Sequence, residues 1–174
     1  FDSPRDALAA GVAMVHQELA FCENLSVAEN LCLGVLPSRR GFVQRDVLRA
    51  RALELLATVG ATIDPDRPVE TLSIAEQQLV QIAAAVGSGA KVIIFDEPTS
   101  SLSERDTERL YALIAELRGR GVTLLYISHR MHEIAELADD CSVYRNGRYV
   151  ATFAAGTKTD DAIVEMMIGR EYKN

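Results

Sequence analysis

The sequence predicts an α/β fold in which a parallel sheet carries an α-helical insert. Three apolar runs have the length of strands: VAMV (12–15), VIIF (92–95) and VTLLYIS (122–128). An amphipathic helical segment separates the second and third runs, and strands that alternate with helices are typical of parallel sheets. Residues 18–88, between the first and second runs, show the periodicity of helices, which indicates the insert.

Four helices are predicted before the second strand, over residues 3–10, 26–34 and 46–60 and from Ser73 onwards. Ser26 and Ser73 each stand three positions before a glutamate, which is the form of a capping box at a helix N-terminus. Gly34 and Gly60 are the residue type that commonly ends a helix. The apolar positions expected to be buried are Val47, Leu48, Ala52, Leu55, Leu56 and Val59 in the third helix and Leu79, Ile82, Ala83 and Val86 in the fourth.

The second and third strands are continuous apolar runs, so we expect them to be buried on both faces of the sheet. Further helices are predicted over residues 103–121, 129–139 and 159–169. Asn146-Gly147 separates two strand-like segments within residues 141–153, which predicts a β-hairpin.

Composition narrows the possible partners. Of the 174 residues, 48% are hydrophobic and 25% charged, as in ordinary globular proteins, and the net charge is −7. An acidic balance disfavours nucleic acid as a partner, because phosphate backbones bind basic surfaces. No apolar run approaches the roughly 20 residues of a membrane span, so we expect any work at a membrane to depend on a partner.

Polar residues follow the second and third strands, where open parallel sheets bind ligands. Asp96 and Glu97 end the second strand, and an acidic pair there suits a hard cation such as Mg²⁺ together with a base for water. The simpler alternative is a loop-capping Asp96 and a solvated Glu97. His129 follows the third strand and would face the same crevice, although it also fits an ordinary polar loop.

Ser73 has two interpretations. It is an ordinary helix cap, or it is an anion site, because the free N–H groups and the dipole of a helix N-terminus attract negative charge. No Gly-Lys dipeptide occurs in the chain, so a phosphate-binding GxxxxGK[ST] loop is missing from it.

Together these motifs resemble those of the ATP-binding cassette (ABC) family. IIFDEPTSSLS (93–103) resembles the Walker B strand, catalytic glutamate and D-loop, and YISHR (126–130) resembles the switch-histidine segment. VHQEL (15–19) resembles the Q-loop, and LSIAEQQ (72–78) stands where the signature motif belongs. The order is the family order. Over essentially its whole length the chain is similar to the first cassette of bacterial monosaccharide importers of the ribose, xylose and galactose type.

The resemblance implies a partial RecA-like P-loop NTPase core that lacks the Walker A strand and helix. Residues 1–17 and 89–156 would form this core, residues 18–88 the helical subdomain, and residues 157–174 a C-terminal helix leading to a linker. A chain that starts after Walker A is expected to bind ATP poorly by itself. In such a chain the strand of Asp96 would have an exposed apolar edge and face. We therefore expect the chain to oligomerise or swap elements.

The resemblance also implies roles in a site for ATP and Mg²⁺. The implied residues are Glu97, His129 and Gln17 in catalysis, Asp96 and Gln17 at the metal, and Ser73, Ala75, Glu76 and Ser103 at the nucleotide. Ser73 would contact the γ-phosphate of an ATP bound mainly by a second cassette. Ala75 stands at a glycine position of the signature, Glu76 brings a negative charge close to the expected anion, and Ser103 replaces the D-loop aspartate.

The implied protein is the ATP-hydrolysing subunit of a sugar importer, cytoplasmic and peripheral on the inner face of the plasma membrane. Its partners would be membrane permease subunits, a second cassette in the same chain or in trans, and indirectly an extracytoplasmic sugar-binding protein. Two alternatives remain open: a soluble cassette ATPase of translation or DNA repair, and a catalytically inactive interaction module.

Overall fold

The computed structural model describes residues 1–18, 20–33 and 35–169. Its helices are α1 (Pro4–Ala9), α2 (Val27–Leu31), α3 (Arg45–Ala57), α4 (Ile74–Gly87), α5 (Glu104–Gly119), α6 (Met131–Leu137) and α7 (Asp160–Ile168). Its strands are β1 (Val12–Val15), β2 (Ser38–Arg39), β3 (Phe42–Val43), β4 (Val92–Asp96), β5 (Thr123–Ile127), β6 (Asp140–Arg145) and β7 (Arg148–Ala154). The chain divides into two units, Phe1–Ile127 and Ser128–Asn174. The subdomain boundaries expected from the sequence stay predictions.

A parallel sheet of strand order β1-β4-β5 lies at the centre of the first unit, and the predicted α/β class is confirmed. Val15 pairs with Phe95, and Phe95 pairs with Tyr126. The three strands therefore reach the carboxyl edge of the sheet together. Gln17 and Asp96 are delivered to this edge, which is where sheets of this type bind ligands.

The two faces of the sheet differ in exposure. Ile93 and Phe95 are fully buried on one face, whereas Met14, Leu125 and Ile127 on the other face are exposed, with Leu125 at 53%. The expectation that β5 is buried on both faces is therefore wrong, because no described element covers these side chains.

The prediction that the strand of Asp96 has an exposed edge is also wrong. The strand of Asp96, β4, is paired on both sides, and the edge strands of this sheet are β1 and β5. A strand's position in a sheet depends on long-range pairing, which the apolar run alone does not encode. The expected oligomerisation stays a prediction.

The segment between β1 and β4 contains the three helices expected there, together with a one-turn 3-10 helix (Val69–Thr71) and a hairpin that the sequence interpretation missed. Strands β2 and β3 form a short hairpin in which Arg39 pairs with Phe42. The turn residues Arg40 and Gly41 have φ values of 53° and 85°, as a two-residue hairpin turn requires. The wholly helical interpretation of residues 18–88 is wrong here, because two-residue strands are too short to show alternation.

The predicted capping box of α2 is confirmed. Ser26 Oγ accepts a hydrogen bond from the N–H of Glu29, and the Glu29 carboxylate accepts one from the N–H of Ser26 at 2.8 Å. The latter bond holds the pKa of Glu29 below its usual value. Helix α2 ends at Leu31, and the predicted stop at Gly34 lies outside the described residues.

The buried sides of α3 and α4 differ in part from the predicted stripes. Val47 on α3 is 49% exposed, although the other predicted positions of that helix are buried. On α4 the buried apolar residues are Val80, Ile82, Ala83 and Ala85, while Leu79 and Val86 are half-buried. Because α4 packs against α2, α3 and β1, its buried surface is wider than one helical stripe.

The second unit consists of α6, the β6–β7 hairpin and α7. Asn146 and Gly147 have φ values of 50° and 71°, and the predicted hairpin turn is confirmed. Helix α7 lies within the predicted C-terminal helix, of which residues 170–174 lie outside the described part of the chain. Within the described ranges, no helix has the length and apolar character that crossing a bilayer requires.

Candidate functional site

Three of the predicted site residues meet at the carboxyl edge of the sheet. Gln17 lies two residues beyond β1, Asp96 ends β4, and Glu97 follows it. Gln17 Nε2 donates a hydrogen bond to Glu97 Oε2 at 3.4 Å, which joins residues 80 positions apart. Gln17 and Glu97 are therefore in contact at this edge, and Asp96 directly precedes Glu97 in the chain.

The backbone of Glu97 is strained. Its φ of 43° lies in the left-handed region, which costs a residue other than glycine roughly 1–3 kcal/mol. The Glu97 N–H donates to the carbonyl of Ile127 at 3.0 Å, and the Glu97 carbonyl accepts from the N–H of Ser100 at 3.2 Å. Strain of this kind persists where surrounding structure enforces it, and it concentrates at active sites. The left-handed backbone of Glu97, outside any hairpin turn, is consistent with the predicted role, which stays a prediction.

The donor set around Asp96 fits Mg²⁺. Asp96 is half-buried, and its carboxylate makes no hydrogen bond or ion pair with any residue that the structure describes. The carboxylates of Asp96 and Glu97 and the amide oxygen of Gln17 are the hard oxygen ligands that Mg²⁺ prefers. Among the described residues, no group of three or more His, Cys, Asp or Glu could hold a metal. A Mg²⁺ ion at this edge would need water or other oxygen ligands from outside the described residues to complete its coordination.

The N-terminus of α4 carries three of the predicted nucleotide contacts, Ser73, Ala75 and Glu76. Ser73 Oγ accepts from the N–H of Glu76 at 3.3 Å, and the Glu76 carboxylate accepts from the N–H of Ser73 at 2.8 Å, so the capping box is confirmed. Arg67 Nη1 lies 3.3 Å from Glu76 Oε1. The Ser73 N–H, with a further contribution from Arg67, lowers the pKa of Glu76. The negative charge of Glu76 is therefore directed to its own helix terminus and paired with Arg67.

We expect the folded state of the Glu76→Gln variant to lose less stability at low pH than that of the wild type. A carboxyl whose pKa is lowered by folding stabilises the folded state above its unfolded pKa of about 4.3, and this stabilisation is lost as the pH falls through the folded value. At pH 7 the variant should be less stable by no more than about 1 kcal/mol, because the pair with Arg67 is partly exposed. Thermal unfolding midpoints between about pH 7 and 3 measure this difference, and identical pH dependence in the two proteins would contradict it.

A cavity of about 200 Å³ lies where these segments meet. Its lining residues are Gln17, Ile74, Gln78, Pro98, Ser100 and Ser101. The first turn of α4 and the loop after β4 are therefore brought beside Gln17. Ser103 does not line the cavity; it caps α5, with its Oγ accepting from the N–H of Asp106.

His129 belongs to the second unit, in the three residues between β5 and α6. Its neighbours Ser128 and Arg130 both contact Glu133, which is fully buried. Ser128 Oγ donates to Glu133 Oε2 at 2.5 Å, and Arg130 Nη1 lies 3.6 Å from Glu133 Oε1. The segment that carries His129 is thus anchored within its own unit, and the expected role of His129 in catalysis stays a prediction.

Sequence reasoning missed three residues that shape these segments. Gln78 had a usable signal, because it lies four positions before Ile82 on the buried side of α4, where a polar residue is unexpected. Glu133 and Arg67 had none, since Glu133 is buried by tertiary packing and Arg67 reaches Glu76 from a loop.

A parallel sheet with a glutamine, an aspartate and a strained glutamate at its carboxyl edge defines an α/β protein of the P-loop NTPase class, here in partial form. The model of one family, the ABC transporter family, matches residues 2–100. The chain belongs to the ABC transporter family, as the sequence motifs predicted.

Curated relatives match over nearly the whole chain. The ribose import ATP-binding protein RbsA 1 of Rhizobium etli is 47% identical over 175 aligned positions, which cover 100% of this chain and 34% of the relative. The arabinose import ATP-binding protein AraG of Yersinia pestis is 48% identical over 171 positions, covering 98% of this chain and 33% of the relative. The chain thus spans about a third of the length of these relatives.

Solved structures show the same fold. The ATP-binding cassette MJ1267 of an ABC transporter superposes with a TM-score of 0.78 at 22% identity, covering 95% of this chain and 71% of that one. The cassette MJ0796, in a dimeric post-hydrolysis state bound to ADP and Pi, gives a TM-score of 0.70 at 23% identity, covering 88% and 68%. The predicted fold is confirmed.

Proposed function

We propose that this chain is part of the ATP-hydrolysing subunit of a bacterial sugar importer, peripheral on the inner face of the plasma membrane. The observation that carries the proposal is the hydrogen bond from Gln17 to the strained Glu97 beside Asp96. The relatives are named import ATP-binding proteins for ribose and arabinose, which supports a monosaccharide as the cargo.

In this proposal Glu97 is the general base that accepts a proton from the attacking water. Its strained backbone and the Gln17 amide keep its carboxylate in one orientation, so no reorganisation is needed during the reaction. Bound Mg²⁺ would neutralise charge on the phosphate oxygens of ATP. Asp96 would hold the water ligands of that ion, and the amide oxygen of Gln17 would face it.

Ser73 and the free N–H groups in the first turn of α4 would contact the γ-phosphate of an ATP shared with a second cassette. The methyl group of Ala75 leaves less room for the phosphate than a glycine would. The carboxylate of Glu76 would repel the phosphate less than an unpaired carboxylate, because Arg67 pairs with Glu76. His129 would contact the γ-phosphate of the ATP at the site of Glu97 and organise that glutamate. Ser103 would act indirectly, by fixing the start of α5 after the D-loop.

Residues 35–43, which we call the hairpin surface, suit the membrane permease as a partner. Val35 and Phe42 are 79% and 80% exposed. Arg39 and Arg40 form no ion pair with any residue in the described ranges. On a chain of net charge −7, an exposed surface that is apolar and basic suits a partner with apolar and acidic side chains. A sugar-binding protein would act indirectly, from the other side of the membrane.

The test is sugar uptake into vesicles that contain the full-length ATPase, its permease and the sugar-binding protein. We expect uptake of labelled ribose or arabinose only when ATP is supplied on the cytoplasmic side. Changing Arg39 and Arg40 to Glu together with Phe42→Ser should lower uptake and permease co-purification by about tenfold, because the contact loses its apolar anchor and reverses its charge.

Arg148→Glu is the control, since it reverses one arginine charge beside the turn of the other hairpin. Its uptake should stay near that of the wild type. Failure of the wild type to take up any monosaccharide with ATP would contradict the function, and an equal loss in Arg148→Glu would contradict the role of the hairpin surface.

A further inference from the structure

The cavity beside Gln17 contains a polar group that no predicted role uses. Gln78, on the second turn of α4, lines this cavity and is 6% exposed. Its Nε2 atom is buried and has no hydrogen-bond partner among the described residues. Buried amide groups nearly always have partners in folded proteins, so an unpaired amide beside a cavity indicates that the side chain turns toward the cavity to find one.

The cavity suits water as that partner. A volume of about 200 Å³ has room for several molecules, since a water takes up about 30 Å³ in the liquid. Water needs two to four polar partners to be held in such a place. Gln17, Gln78, Ser100 and Ser101 line the cavity and are the polar residues that could hold the water.

We propose that Gln78 is a positioning residue, which holds ordered water in this cavity and through it orients Gln17 and the loop after Glu97. The proposal rests on the proposed function, in which Glu97 is the base. Gln17 gives its Nε2 hydrogen to Glu97, and its amide oxygen has two lone pairs, so one can accept from the water while the other faces the metal.

A second route reaches the same glutamate. Ser100 lines the cavity, and its N–H donates to the carbonyl of Glu97 at 3.2 Å. Water bound to Ser100 would therefore support the strained backbone of Glu97 as well as its side chain. Ser73 is the N-cap of α4, the helix that contains Gln78. A shift of α4 when Ser73 binds a phosphate would therefore move Gln78 and change the orientation of Glu97.

The test is the Gln78→Leu variant of the full-length ATPase. Leucine removes the amide and cannot hold the water, so we expect kcat for ATP hydrolysis to fall about tenfold while KM stays within about twofold. Gln81→Leu is the matched control: Gln81 Oε1 is also buried without a partner among the described residues, one turn further along α4, but Gln81 does not line the cavity. Its kcat should stay near the wild-type value.

A double-mutant cycle with Gln17→Ala separates positioning from a general effect on structure. If Gln78 acts through Gln17, Gln78→Leu should lower kcat much less in the Gln17→Ala background than in the wild type. Additive losses, an equal loss in Gln81→Leu, or an unchanged kcat in Gln78→Leu would each overturn the proposal. Gln78→Met replaces Gln78→Leu if the latter does not fold. An unchanged kcat in Gln17→Ala would instead overturn the proposed site itself.

Discussion

Replacing Glu97 by Gln is expected to lower the ATP turnover of the full-length protein by about 10²- to 10⁴-fold, the range that a positioned general base contributes. The glutamine amide has nearly the same shape but cannot accept the proton of the attacking water. The strained backbone should persist, because its two backbone hydrogen bonds do not involve the side chain. ATP affinity should therefore stay within about threefold, since the carboxylate acts on the water and contributes little to ground-state binding.

Phosphate release under single-turnover conditions measures the chemical step, and equilibrium binding of labelled ATP measures affinity. Glu104→Gln is the control, because it makes the same change on the exposed first turn of α5 and should leave turnover unaltered. Full turnover in Glu97→Gln at this cassette's own site would show that another group is the base.

The second large effect is expected in the core. Phe95→Ala should destabilise the domain by about 3–5 kcal/mol, as deletion of a fully buried aromatic ring does. Phe95 is completely buried in the central strand, pairs with residues on both neighbouring strands, and has the ring of Tyr126 at 6.2 Å between centroids. The alanine would leave a cavity next to the strand end that carries Asp96 and Glu97, so turnover should fall together with stability.

Calorimetric unfolding of the full-length protein measures this loss. Leu125→Ala is the control on the neighbouring strand β5, where the side chain is exposed and the cost should be below about 1 kcal/mol. Equal destabilisation by the two changes, measured in parallel on residues 1–174, would contradict the prediction, because Leu125 is exposed there and Phe95 is not.

Local signals in the sequence predicted most of the secondary structure. Ser26 with Glu29, Ser73 with Glu76, and Asn146-Gly147 each act within a few residues, and all three predicted features are present. The β2–β3 hairpin could not be predicted in this way, because its strands are two residues long and its turn is formed by Arg40 and Gly41.

Burial was harder to predict than secondary structure. The apolar run of β5 indicated a strand correctly, yet Leu125 and Ile127 are exposed, since burial depends on what packs above the sheet. Gln78 shows the opposite case, a polar residue buried because α4 packs against other elements.

By itself the sequence determined the α/β class, the helix caps, and the delivery of Gln17, Asp96 and Glu97 to strand ends, because these depend on neighbours in the chain. Only the tertiary structure decided that β4 lies between β1 and β5, that Gln17 reaches Glu97, and that Glu97 takes a left-handed backbone. These features arise from pairing and packing between residues as much as 80 positions apart, and such contacts leave no local pattern in the sequence.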